Sequence, residues 1–146
     1  PGSAGLVLQP WFEGERTPNL PDATATLFGM TLASTTREHL ARAAVEGMLC
    51  GLAEGLDALI AQGVRAERIL LVGGAAQSPA VAAIAAQVFD APVLVPKPGE
   101  YVAIGAARQA AWALTGELPA WPVAMAQSPS PDHRPEILQQ YRARRA

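Results

Sequence analysis

The sequence holds a single cysteine, Cys50, and only two histidines, His39 and His133. One thiol cannot close an internal disulfide, and nothing near it offers metal-ligand spacing. Cys50 sits inside an apolar helical pattern, which predicts a buried structural thiol rather than a nucleophile. Such sparing use of cysteine suits a reducing, cytoplasmic compartment. Charge of one sign is also lacking: 11 Lys and Arg stand against 13 Asp and Glu, a formal net charge of −2. Nucleic-acid binding needs a basic stripe, so no nucleic-acid partner is expected. The short basic cluster Arg142, Arg144 and Arg145 reads as a solvated helix end. No apolar run is free of charge over a membrane's thickness. The longest, Ala41 to Ala61, carries Arg42, Glu46, Glu54 and Asp57, and a lipid-spanning helix would not tolerate them. No secretory leader pattern is read at the first residues, so a soluble chain without a membrane partner is expected.

Several motifs are missing as well. There is no Gly-x-Gly-x-x-Gly, which excludes the usual dinucleotide fingerprint. There is no Gly-x-x-x-x-Gly-Lys-Ser/Thr phosphate loop and no Gly-x-Ser-x-Gly nucleophile elbow. What is present is apolar: half of the 146 residues are hydrophobic, enough for the core of one domain or of a piece of a larger one.

The clearest element is a long helix, expected at about 36–62. Thr35 and Glu38 have capping-box spacing. Leu40, Ala44, Met48, Leu52, Leu56 and Ile60 then recur every four residues as one apolar face. Gly63 stands where a left-handed cap would end it. A second row, Ala43, Gly47, Gly51 and Gly55, predicts close approach of another backbone, a helix or a loop. Each interior glycine otherwise costs about 1 kcal/mol relative to alanine.

Around this helix, Gly5–Trp11 and Ile69–Val72 read as strands, the latter buried and parallel. Phe12–Asp22 reads as a loop, and residues 23–34 as mostly irregular. Ser78 caps a helix with Pro79 at its first position, running to about Phe89. Pro92–Val95 is a second parallel strand. A helix from about Glu100 to Leu114 closes at Gly116. Residues 117–146 read as a tail with one small helix near Glu136–Arg145. The alternation is that of an α/β fold, but two strands are too few for a self-sufficient sheet.

The chemistry concentrates at Gly73-Gly74-Ala75-Ala76-Gln77-Ser78-Pro79. A buried strand ends in paired glycines and leads into a capped helix. Glycines let a ring or a phosphate approach the backbone, and a helix N-terminus favours an anion. The same pattern also fits a tight strand-to-helix turn that needs glycine for steric reasons alone. Ser78 reads as a cap rather than a nucleophile.

This segment resembles the adenosine motif of the superfamily of sugar kinases, actin and heat-shock chaperones, with Ala75 in place of a third glycine. Tyr101-Val102-Ala103-Ile104-Gly105-Ala106-Ala107 is similar to the Gly-Ala-Ala helix of the FGGY carbohydrate kinase family. Gly14-Glu15-Arg16-Thr17-Pro18 resembles a loop of that family. Ala25-Thr26-Leu27-Phe28-Gly29-Met30, followed by His39-Leu40 and Ala43-Ala44-Val45-Glu46, is similar to its C-terminal signature. The loop from Pro96 to Tyr101, with Ala107-Arg108-Gln109-Ala110-Ala111-Trp112, looks most like the xylulokinase branch; ribulokinase, gluconokinase and glycerol kinase remain open.

The resemblance implies a partial ribonuclease-H-like, actin-like ATPase domain over residues 1–116, with the tail at 117–146. It implies that Gly73, Gly74, Ala75, Gln77 and Ser78 lie against the adenosine of ATP or ADP. In the whole enzyme, ATP with Mg would phosphorylate a sugar such as D-xylulose. The catalytic base, most sugar contacts and most Mg binding would belong to a missing N-terminal domain and to segments preceding this one. No catalytic residue is therefore assigned here: Glu13, Glu15 and Asp22 read as solvated loop carboxylates. A strand edge left open at Ile69–Val72 would favour self-association. A non-catalytic nucleotide-binding module, or an unrelated small α/β protein with a merely steric turn, are the competing readings.

Overall fold

The computed structural model describes residues 2–16 and 19–144. The elements are β1 (Val7–Gln9), β2 (Thr26–Phe28), α1 (Arg37–Ile60), β3 (Ile69–Leu70), α2 (Pro79–Val88), β4 (Val93–Leu94), α3 (Tyr101–Thr115) and α4 (Pro135–Arg142). A short 3-10 turn, Gly74–Gln77, links β3 to α2.

Helix α1 starts one residue later than its capping-box spacing suggests. Thr36, not Thr35, is the cap, and its hydroxyl accepts from the His39 N–H at 3.2 Å. Thr35 is engaged elsewhere, donating to the Thr31 carbonyl at 2.6 Å. Glu38 lies in the first turn, where its own backbone N–H and the Thr36 hydroxyl hold its carboxyl below the usual range. The far end is a Schellman motif: Gly63 N–H donates to the Ile60 carbonyl and Val64 N–H to Leu59, with Gly63 at φ +91°.

The buried face of α1 is not its large apolar row. Ala43, Glu46, Gly47, Leu49, Cys50 and Ala53 face the core. Met48, Leu52 and Ile60 are exposed. The reason is β1, which crosses α1 so closely at Gly47 that no side chain fits at that position. A Cβ on Gly47 would lie 2.3 Å from the Leu8 carbonyl oxygen. The close partner is thus a strand, and it accounts for one glycine of the three. A Cβ on Gly51 would make an ordinary 3.8 Å contact with the Tyr141 hydroxyl, and one on Gly55 would meet nothing within 4 Å.

Strand β1 pairs antiparallel with β2, Val7 opposite Phe28 and Gln9 opposite Thr26. The pairing places an element inside the stretch expected to be irregular. Within the loop between them, Glu15 and Leu20 exchange backbone bonds at 2.9 and 2.8 Å. Thr17 and Pro18 of the Gly-Glu-Arg-Thr-Pro segment lie outside the described residues. Strands β3 and β4 are parallel, Ile69 opposite Val93 and Leu70 opposite Leu94.

The core joins Val7 of β1, Leu49, Cys50 and Ala53 of α1, Ile84, Ala85 and Val88 of α2, and Val93 of β4. Helix α4 adds Ile137 and Tyr141, 6% and 2% exposed, so residues from the C-terminal stretch complete the hydrophobic centre. Polar contacts hold the same layers. Arg42 pairs with Glu46 at 2.6 Å and reaches Gln87 of α2. Gln87 in turn donates to Asp132 at 2.8 Å, and Arg142 of α4 meets Asp57 of α1. Helix α3 has no buried residue; Val102, Trp112 and Leu114 are exposed. Among the described residues no helix is long and apolar enough to cross a membrane.

Candidate functional site

Both parallel strands end at one cleft. Its volume is about 920 Å³, and it lies beyond the carboxyl ends of β3 and β4. Ligands of α/β sheets bind in that position because neighbouring loops diverge there and leave a crevice. Leu71 and Val72 lead the chain from β3 to Gly73 and Gly74 on the cleft wall.

The two glycines differ physically. Gly73 has φ 99° and ψ −179°, a backbone region open in practice only to glycine. Its identity follows from the turn alone. Gly74 begins the 3-10 turn without a positive φ, and a Cβ there would meet nothing within 4 Å. Nothing in the fold demands glycine at 74. Ala75 has no positive φ either, so the missing third glycine is accommodated.

Past the turn, Ala76 N–H donates to Gly73 and Ser78 N–H to Ala75, at 3.2 and 3.1 Å. Ser78 occupies the cap of α2, but its hydroxyl makes no capping bond; Pro79 follows at the first helical position. The cleft is lined by Gly73, Gly74 and Gln77, whereas Ala75 and Ser78 stand in the same turn without lining it.

The cleft is also lined by Val95–Tyr101, the loop from β4 into α3, and by residues 126–129. Lys97 and Glu100 are the charged residues among those lining the cleft. Tyr101 folds back so that its hydroxyl donates to the Lys97 carbonyl at 2.5 Å, which rigidifies the loop. In the sequence, Pro96–Tyr101 stands out only by its resemblance to the family. The rule that parallel strands open their carboxyl ends to ligand could have flagged it, since β4 ends there. Nothing local flags residues 126–129, which arrive by a long-range pairing.

The remaining reactive groups are elsewhere. Cys50 is 1% exposed, and burial, with the Glu46 and Glu54 carboxylates beside it, pushes its thiol up to about 12. That is an inert thiol, as its setting predicts. Glu13 and Asp22 are exposed loop carboxylates, and Glu15 is half-buried. Among the described residues no cluster of three His, Cys, Asp or Glu could hold a metal ion.

The model of the C-terminal domain of the FGGY family of carbohydrate kinases matches residues 1–114. The xylulose kinase of Haemophilus influenzae is 37% identical over 112 residues, covering 77% of this chain and 23% of that protein. The gluconokinase of Bacillus licheniformis is 35% identical over 114 residues, covering 73% of this chain and 21% of that protein. The crystal structure of xylulose kinase from Bifidobacterium adolescentis superposes with a TM-score of 0.85 at 47% identity. It covers all of this chain, which spans 29% of that one. The chain thus spans about a quarter of the length of the curated relatives it matches.

Proposed function

The chain belongs to the FGGY family of carbohydrate kinases, and from that premise we propose that it is the adenosine-binding part of an ATP-dependent sugar kinase, with D-xylulose as the sugar. Gly74 carries the reading. It lies on the cleft wall, and neither backbone conformation nor a neighbouring atom accounts for its missing side chain. A flat base or ribose lying against that backbone would account for it. Gly73 shapes the turn and Gln77 supplies a carboxamide at the cleft. Ala75 and Ser78 close the turn through the Ser78 N–H, which donates to the Ala75 carbonyl.

In this reading the chain is part of a ribonuclease-H-like, actin-like ATPase domain. Residues 1–116 form the nucleotide-binding unit, and 117–146 fold back upon it. The sugar hydroxyl attacks the γ-phosphorus of ATP in line, the bond to the β-phosphate oxygen breaks, and ADP leaves. The hydroxyl proton passes to a base outside these 146 residues. Catalysis of this kind rests mainly on positioning and charge stabilisation. Magnesium would enter on the nucleotide's phosphates, with its protein contacts outside this chain. The exposed Met48, Leu52, Leu70 and Val72 provide apolar surface for the remainder of a protein of the relatives' length, or for self-association. The compartment is cytoplasmic.

The xylulose kinase likenesses favour D-xylulose, and the gluconokinase likeness supports a second sugar class, an aldonic acid. ADP release by the protein of full length with D-xylulose, gluconate and glycerol would separate them. For this chain, Gly74→Ala is the decisive variant. Its melting temperature should equal or slightly exceed that of the parent, because the methyl group meets nothing and alanine restricts the unfolded chain. Its affinity for ADP, followed by amide shifts, should fall about tenfold or more, as expected for overpacking of 1–3 kcal/mol at a contact. Unchanged ADP affinity in Gly74→Ala would sink the adenosine reading of this turn.

A further inference from the structure

The family match ends at residue 114, yet the cleft continues beyond it. Past β4 the chain continues through Val95 into Pro96 and Lys97, and a segment from the C-terminal stretch lies antiparallel beside these residues. Lys97 N–H donates to the Ala124 carbonyl at 2.8 Å, and Ala126 N–H donates to the Val95 carbonyl at 2.8 Å. Pro96 stands opposite Met125. The ladder ends on a side chain: Val95 N–H donates to Ser128 Oγ at 3.0 Å. Val95 is buried, so without that hydroxyl its N–H would lack this partner in a setting where an unpaired donor is costly. Farther back, Arg108 of α3 donates to the Pro119 carbonyl at 2.6 Å, anchoring the approach to the segment.

We propose that residues 124–129 form a second wall of the nucleotide cleft, and that Ser128 is the positioning residue that sets this wall opposite Gly73 and Gly74. The inference rests on the adenosine reading of the cleft and extends it to a segment outside the matched domain. The wall works in two ways. It pairs with the chain just past β4, at Val95–Lys97. It also brings Ala126, Gln127 and Ser128 to the same cleft as the paired glycines. Because Val95 is held on both its N–H and its carbonyl by this segment, the loop Pro96–Tyr101 inherits its position from it. A ligand between the two walls is a nucleoside phosphate. Its base or ribose lies on Gly74, and its opposite face contacts the returning segment.

The test is a titration of the 146-residue chain with ADP, followed by amide chemical shifts. Amides of Lys97, Ala126 and Gln127 should move along the same saturation curve as Gly73 and Gly74. Ser128→Ala should weaken ADP about three- to tenfold, the range expected for one lost hydrogen bond, while the chain keeps a cooperative melt. Ser128→Thr, which keeps the hydroxyl, should restore the affinity; a merely space-filling role would not depend on the hydroxyl in this way. If Gly73 and Gly74 shift saturably while residues 124–129 stay silent, or if Ser128→Ala binds ADP like the parent, the second wall is wrong and the adenosine site stands. If no amide shifts in a chain shown to be folded, the adenosine reading fails and the wall fails with it.

Discussion

Three glycines on one face of α1 offer a test in which the same substitution carries opposite signs. At Gly47 a new Cβ would sit 2.3 Å from the Leu8 carbonyl oxygen and 3.2 Å from its carbon. Ordinary contact begins near 3.4 Å, so β1 and α1 must separate by about an ångström, a strain of the overpacking kind that costs about 1–3 kcal/mol. Both elements contribute buried side chains to one core, Val7 from the strand and Leu49 and Cys50 from the helix, so the shift cannot stay local. Alanine recovers about 1 kcal/mol through its better helix propensity. The net effect is a loss of up to about 2 kcal/mol, or more if the core does not yield. At Gly55 the Cβ meets nothing, and the propensity gain stands alone. For a chain of this length 1 kcal/mol moves the melting temperature by about 2–4 °C. Gly47→Ala should therefore melt lower than the parent, by up to about 4–8 °C, and Gly55→Ala about 2–4 °C higher. Circular dichroism at 222 nm reads both. A Gly47→Ala variant melting at or above the parent would refute the strand-on-helix contact and the account of the buried face built on it.

Two further outcomes follow from the core. Ile137 of α4 is 6% exposed, and Ile137→Ala should cost about 2–5 kcal/mol in urea unfolding, as for other large-to-small core changes; a cost under about 0.5 kcal/mol, a surface-like value, would mean that α4 is not docked. Stability should also fall in alkali. Burial raises the Cys50 thiol from its ordinary 9.0 to about 12, and the Tyr141 phenol from 10.0 to about 12. Both groups are acids held neutral by the fold, so their contribution is whole below about pH 9 and is lost as pH rises toward 12. The slope is at most about 1.4 kcal/mol per pH unit for each group. Urea midpoints at pH 8 and pH 10.5 should differ accordingly, and a flat profile would place both groups in contact with water.

The sequence by itself was enough for whatever depends on near neighbours. Helix α1 and its Gly63 cap, the parallel reading of β3 and β4, and the glycine turn into α2 are written in periodicity and turn chemistry within a few residues of each other. The family resemblance was legible for the same reason, since it rests on short motifs in a fixed order. Which face of α1 is buried was not legible. The larger side chains Met48, Leu52 and Ile60 have more to gain from burial than Ala43 and Gly47, and only the close crossing of β1 at Gly47 turns that side of the helix inward. Thr36 rather than Thr35 caps the helix because Thr35 is already bonded to Thr31, a matter of how the preceding turn folds. The second side of the cleft is the plainest case. Residues 124–128 have no strand pattern of their own, and they become ordered by pairing with Val95–Lys97, about thirty positions earlier in the chain. Local preference determined the glycine turn, and long-range backbone pairing, which no nearby residue encodes, decided what shares the cleft with it.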